Sequence, residues 1–572
     1  MSSKLIVERD IDIPMRDGEV LKADLYRPDT SKRLPVLLQR TPYGKGFSST
    51  SFALWAADCG YAVVLQDTRG RWASGGDGTP FVSEQVDGYD SLEWIAGQPW
   101  ALGRTGMWGD SYLGYTQLAA AASGHPSLKT IIPGFAFHDP RAILYQGGAF
   151  ALGPALSWGL LAHAQMAIQR LSESGMLSGR ERAGLVEQLI LAVDGMYAGT
   201  TFRTLPLEDL PLVGRQGIFP FLSQALSRPP EDEFWDSITI SMQDIHIPAL
   251  HVGGWYDIFI SSTLEMYNEL QRQGSSYQKL LVGPWIHADT DGHAGEVDFG
   301  MNAYAMTVLP DEIQMEWFDH WLKGKDSGLL DEPPVRVFVM GEDRWRGVNE
   351  WPVPGMRYIP YYLHSAGSAN SLHGDGSLSP EIPADEPPDS FNYDPHEPVP
   401  TRGGGLCCWH SALPPGAFDQ RPIEERSDVL VYTSPLLEQD LEVIGAVQVR
   451  LWAASSAPDT DFTAKLVDVG PDGYARNIQD GILRAAYRDG AEATLLELDR
   501  PYEFKIDLAL TANLFKAGHR LRIEISSSNF PRFARNPNTG ESPGKATELR
   551  PARQTVFHDS QRPSQIILPV SD

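Results

Sequence analysis

The chain has 572 residues, 42% hydrophobic and 10% aromatic, which is enough for several packed cores in roughly three to four domains. Its 47 Lys and Arg against 74 Asp and Glu give a net charge of −27, an acidic balance that argues against nucleic acid or an anionic membrane as partner. No apolar run approaches the roughly 20 residues of a membrane span, and nothing in the sequence asks for a metal or cofactor.

The amino terminus passes from a charged start into alternating residues without the apolar core of a signal peptide. Of the three cysteines, Cys59 stands alone, and Cys407 and Cys408 are neighbours that bridge poorly. Together these features predict a cytoplasmic protein in a reducing compartment.

Residues 4–26 alternate as a hairpin with its turn at Arg16-Asp17-Gly18. The period then changes: PVLLQRTPYG, YAVVLQDTRG, TGMWGD and LKTIIPGFAF are short buried strands separated by helix-length amphipathic segments. That rhythm specifies a mainly parallel sheet covered on both faces, the α/β class. From about Arg141 to Ile240 the pattern is helical, without strands, and reads as an insert. The α/β rhythm resumes at IPALHVGGWYD and ends with VRVFVMG. Loops at the carboxyl ends of parallel strands form the ligand crevice, so the insert is placed to cap it.

Beyond residue 350 short strands are separated by Gly, Pro, Asp and Asn turns, an antiparallel β-sandwich of jelly-roll type. The Ser-, Gly-, Pro- and Asp-rich stretch 366–405 reads as a long surface connection. The expected division is a sheet domain over 1–140 and 241–350, a helical cap over 141–240 and a jelly roll over 351–572.

The stretch MWGDSYLG, residues 107–114, reads as strand, sharp turn and helix with Ser111 at the turn. This is the nucleophile-elbow arrangement of α/β-hydrolases, although G-x-S-x-G places its second glycine where this chain has Leu113. A helix N-cap is the alternative reading of Ser111. Serine hydrolysis also needs an imidazole to take the proton and a carboxylate to orient it. Asp257 and His287 each come just after a strand, in the order Ser, Asp, His. Taken alone, Asp257 reads as a helix cap and His287 as an ordinary satisfied histidine; the ordered set favours catalysis.

The oxyanion needs donors. The Tyr112 amide, directly after the nucleophile, supplies one, and Tyr43, in Thr41-Pro42-Tyr43, either supplies a second through its hydroxyl or merely packs. The run from His287 to His293 superficially resembles a metal loop, but Asp and Gly also make plain turns there.

Six separated motifs, RTPYGK at 40–45, QDTRGRWASGG at 66–76, GMWGDSYLG at 106–114, GGWYDIF at 253–259, LVGPWIH at 281–287 and VRVFVMGEDRWR at 335–346, resemble the CocE/NonD family of serine hydrolases. Its relatives include α-amino-acid ester hydrolases and X-Pro dipeptidyl-peptidases. The resemblance covers the whole chain and implies an α/β-hydrolase sheet domain, a helical cap and a jelly roll. Its elbow is G-x-S-Y-x-G, in which Leu113 is an expected residue. By resemblance, Ser111 is the nucleophile, Asp257 and His287 complete the triad, and Tyr43 with Tyr112 forms the oxyanion hole.

Family members that bind an ammonium group carry acidic residues just beyond the catalytic aspartate, where this chain has Ile258, Phe259 and Ile260. That apolar wall favours an aryl or alkyl acyl group. Phe259 then lines the acyl pocket, with Trp158 from the cap and Leu406, Cys407 and Trp409 from the jelly roll as further walls; core packing is the other reading of Trp158. The expected activity is a serine esterase working on a small-molecule ester through an acyl-enzyme. Amide hydrolysis by the same triad and a non-catalytic glycan-binding protein built on the jelly roll are the alternatives. A homodimer is compatible with all three.

Overall fold

The computed structural model describes residues 4–46, 50–308, 310–542 and 544–571; the expectation for the amino terminus therefore lies partly outside the described residues. A ten-stranded sheet forms the centre. Its strands are β1 (Leu5–Pro14), β2 (Val20–Pro28), β3 (Leu34–Thr41), β4 (Ala62–Asp67), β5 (Ala101–Asp110), β6 (Leu128–Gly134), β7 (Ala249–Tyr256), β8 (Gln278–Ile286), β9 (Val335–Val339) and β10 (Arg344–Val348).

They lie in the order β1-β2-β4-β3-β5-β6-β7-β8-β9-β10. The strands from β4 to β9 are mutually parallel. Antiparallel pairs close the two edges, β1 with β2 and β9 with β10. The residues of β3, β4, β7 and β8 are buried throughout, as strands covered on both faces must be.

Helices occupy most of the chain between β6 and β7, with one departure from expectation. A two-residue-per-strand hairpin, Tyr145–Gln146 with Ala149–Phe150, interrupts them. It turns through Gly147 and Gly148, both at positive φ, and glycine adopts that backbone without steric cost. Farther on, the helices Leu152–Trp158 and Gln165–Glu173 flank a π-helical stretch, Gly159–Ala164. Such widened turns often accompany functional sites, and this one sets Leu161 and Ala162 in the wall of a large cavity.

After β10 a twelve-stranded, almost wholly antiparallel assembly builds the C-terminal sandwich. Here the reading of 366–405 as a surface connection is corrected. Ser377–Ser379 and Asp389–Tyr393 are sandwich strands, and the latter pairs with Ala552–Asp559. Asp389 is fully buried and accepts bonds from Tyr432 Oη at 2.8 Å and the Ala369 N–H at 2.8 Å. Turn-forming composition hid a strand whose polar residue has its partners elsewhere in the chain.

No helix of the described residues is long and apolar enough to cross a membrane.

Candidate active site

β5 ends at Asp110, and the helix Tyr112–Ala122 begins two residues later. Ser111 between them adopts φ 63° and ψ −125°, and its hydroxyl makes no capping bond. The N-cap reading of Ser111 therefore fails: the tight turn carries the side chain away from the helix's free N–H groups.

Two glycines permit the turn. Gly109 sits at φ 126°, and a Cβ on Gly114 would stand 2.4 Å from the Ala136 Cβ. The Ser111 N–H donates to Gly134 O at 2.9 Å. Gln117 bridges the elbow to β6, donating to Gly109 O at 2.8 Å and accepting the Ile132 N–H at 2.9 Å.

Asp257 comes directly after β7, and His287 directly after β8. His287 Nδ1–H donates to Asp257 Oδ1 at 2.7 Å, with both residues buried. The helix after Asp257 starts at Ile260 and has Phe259 at its cap position, so Asp257 does not cap it. Ser111 and His287 line one cavity of about 590 Å3.

Tyr43 lies on the same wall. Its hydroxyl accepts the Trp158 Nε1–H at 3.1 Å and is in hydrogen-bond contact with Ser111, and burial raises its pKa. Tyr43 thus does more than pack. Tyr112, as the first residue of its helix, keeps its N–H free of any intrahelical acceptor. Its phenol is tied down separately, donating to Glu84 Oε1 at 2.9 Å and accepting the Phe81 N–H at 2.9 Å. Glu84 in turn pairs with the fully buried Arg40 at 2.9 Å.

A smaller apolar recess of about 50 Å3 opens beside Ser111, walled by Phe81, Phe137, Trp158, Phe259, Cys407 and Cys408. Phe259 meets the His287 ring edge-on at 4.9 Å and Phe137 at 4.8 Å. Among the described residues no carboxylate lines this recess.

Three expectations change here. Cys407 and Cys408 are joined as a disulfide, against the reading of an unbridged pair; Cys408 takes a positive φ of 78°, and that chain reversal lets adjacent thiols meet. Leu406 does not line either cavity. The same reversal leaves it fully buried in the core shared by sheet and cap. Trp409 also lies outside both cavities, turned onto Tyr197 of the cap at 5.7 Å. Cys408 takes the position expected for them.

Sequence reasoning also missed Phe81, Phe137, Asp110 and Asp311. Asp110 lies inside the elbow motif, Phe137 ends the quoted run LKTIIPGFAF and Phe81 follows QDTRGRWASGG by five residues, whereas no local signal marked Asp311. Asp110 is exposed to the large cavity, with its carboxylate lying over Gly134. Burial pushes its pKa up to about 6, Asp257 and Asp311 add to the shift, and His287 opposes it.

In the 287–293 loop Asp289 accepts the Asp291 N–H at 2.9 Å, an ordinary turn, and His293 Nδ1 bonds to Tyr304 Oη at 2.7 Å. No group of three or more metal-ligating side chains converges among the described residues.

Two family models divide the chain. The X-Pro dipeptidyl-peptidase (S15 family) model matches residues 17–289, and the X-Pro dipeptidyl-peptidase C-terminal non-catalytic domain matches 327–567. The cocaine esterase of Rhodococcus sp. (strain MB1 Bresler) is 40% identical over 99% of this chain and 98% of that protein. The chain belongs to the CocE/NonD family of serine hydrolases.

Membership makes it a serine ester hydrolase. CocE/NonD architecture also explains the sandwich, since solved structures agree over nearly the full length. An α-amino acid ester hydrolase superposes with TM-score 0.79 at 23% identity, covering 100% of this chain and 97% of that one. A CocE/NonD family hydrolase from Staphylococcus aureus gives 0.69 at 19%, covering 99% and 94%. At those identities the likeness is one of fold.

Proposed function

We propose that the chain hydrolyses a carboxylic ester with an apolar, aryl or alkyl, acyl group through an acyl-enzyme on Ser111. The observation that carries this reading is the 2.7 Å bond from His287 Nδ1 to Asp257, on the wall of the cavity that also holds an uncapped Ser111. Held in that tautomer, the imidazole presents Nε2 as the base.

His287 takes the Ser111 proton as Oγ attacks the ester carbonyl. The Tyr112 N–H and the Tyr43 hydroxyl donate to the oxyanion. The alcohol leaves with the proton from His287, water attacks the acyl-Ser111 ester by the same route, and the acid departs. The Trp158 indole, donating to the Tyr43 oxygen, orients the Tyr43 proton toward the oxyanion.

The acyl group lies in the recess formed by Phe81, Phe137, Trp158, Phe259, Cys407 and Cys408. Its lack of a carboxylate disfavours an acyl group bearing a free ammonium, which would lose hydration without a counter-charge. That weighs against dipeptide release from a free amino terminus, despite the peptidase names of the two family models. We assign the sheet, cap and sandwich the limits 140, 240 and 350.

The test is hydrolysis of p-nitrophenyl benzoate. Ser111→Ala is expected to lower kcat by at least about 10^4-fold and to abolish the burst of p-nitrophenol. Tyr43→Phe is expected to cost about 10^2-fold in kcat with little change in KM. Unchanged turnover in Ser111→Ala would remove the proposal.

A further inference from the structure

A separate cavity of about 350 Å3 adjoins the acyl recess, Phe221 of its wall meeting Phe81 of the recess at 6.0 Å. Its walls are the loop Gly76–Thr79, the side chains of Arg71 and Arg170, and cap residues including Phe219. Arg71 is 5% exposed. It donates to Gly78 O at 2.8 Å, bonds His163 Nδ1 and lies over the Phe219 ring at 5.6 Å. Arg170 donates to Ser74 O at 2.9 Å. Among the described residues neither guanidinium has a carboxylate at ion-pair distance, in a chain with 74 acidic residues.

Glu84 attracts Arg71 only from a distance and is itself paired with Arg40, so the buried Arg71 cation lacks a direct ion pair, and backbone carbonyls and a ring replace only part of its hydration. Burial accordingly pulls the Arg71 pKa down to about 10. His163 cannot supply negative charge: burial and the neighbouring Arg71 hold its pKa well below the usual value, so it stays neutral. With Nδ1 engaged by Arg71, its buried Nε2 finds no partner.

The loop adds donors. Gly76 takes a positive φ of 87°, and the N–H groups of Gly76, Asp77 and Gly78 meet no protein acceptor among the described residues. Successive free N–H groups of this kind suit an anion. Among the described residues Asp77 brings the one carboxylate on this wall; it is exposed and occupied by Thr79, whose N–H and hydroxyl donate to it at 3.1 Å each.

We propose that this cavity binds a small oxyanion, a phosphate or an organic carboxylate, between Arg71 and Arg170. Guanidinium groups match the paired oxygens of both. Free inorganic phosphate is one source, and the acid released by ester hydrolysis is the other. The site does not depend on the identity of the catalytic residues.

The experiment is calorimetric titration of the full chain with sodium phosphate and, separately, sodium benzoate, at constant ionic strength maintained with sodium chloride. At least one anion is expected to bind saturably, equally well in Ser111→Ala, and at least tenfold more weakly in Arg170→Gln. Arg170 is half-buried at the cavity edge, so this variant keeps the test usable if Arg71→Met fails to fold. The anion that binds identifies the source. Absence of saturable binding by both, or binding that survives Arg170→Gln unchanged, overturns the site.

Discussion

Asp110 precedes the nucleophile and faces the same cavity, so its charge is felt where His287 works. Its folded pKa, about 6, lies above the ordinary 3.8. Between those values the folded chain keeps a proton that the unfolded chain has released, so stability falls as pH rises through that window. Well below pH 3.8 both states are protonated and the effect vanishes. Because Asp110 is exposed and its interactions are screened, Asp110→Asn is expected to raise Tm by only about 1–2 °C at pH 8 and to leave it unchanged near pH 3. Thermal melts at the two pH values check this, and an equal shift at both would show that the carboxylate is not destabilised. The residue was visible in the sequence as part of GDSYLG, but its environment was not, because Asp311 joins it from far along the chain.

The strand Asp389–Tyr393 depends on one carboxylate for its place in the sandwich. Asp389 accepts from Ser365 Oγ, the Ala369 N–H, Tyr432 Oη and His558 Nε2 at 2.8–2.9 Å. His558 also bonds Glu386 at 3.2 Å. Burial works against both charges, yet hydrogen bonding to the partner leaves the Asp389 pKa lowered and the His558 pKa raised. The Asp389 contribution is present above its unfolded pKa of 3.8. The His558 contribution is complete below 6.5 and is lost as pH rises through its raised value.

Asp389→Asn is accordingly expected to destabilise by about 3 kcal/mol. The loss should be greatest between pH 4 and 6.5 and shrink at higher pH, as read by urea unfolding at several pH values. A pH-independent loss would mean that only neutral bonds act there.

Across the molecule, the sandwich and the sheet share their interior. Gln479 Nε2–H donates to Trp255 O at 2.7 Å, and Tyr256 Oη–H donates to Asn477 O at 2.9 Å, both onto the strand that leads to Asp257. The Met340 N–H donates to Ala512 O at 2.9 Å just beyond β9. One apolar cluster runs from Trp255, Leu280 and Val337 of the sheet to Leu430, Leu451 and Ile523 of the sandwich. The cap joins by the Gly153 N–H donating to Pro531 O at 2.8 Å. Parts that bury the same core lose it together. Scanning calorimetry of the full chain is therefore expected to give one transition; two resolved peaks would show the sandwich unfolding independently.

The strand and helix pattern, the α/β class, the sandwich and the order Ser111, Asp257, His287 were all legible in the chain. Each rests on local periodicity and on the residue types just past the end of each strand, and backbone geometry imposes those signals within a dozen residues. The tertiary structure alone decided the rest. It placed Cys408 in the recess and withdrew Leu406 and Trp409, because a positive φ at Cys408 reverses the chain. It made a sandwich strand of Asp389–Tyr393 and, among the described residues, left Arg71 without a carboxylate at ion-pair distance. Burial and charge pairing join residues hundreds of positions apart, and no local pattern records which of them meet.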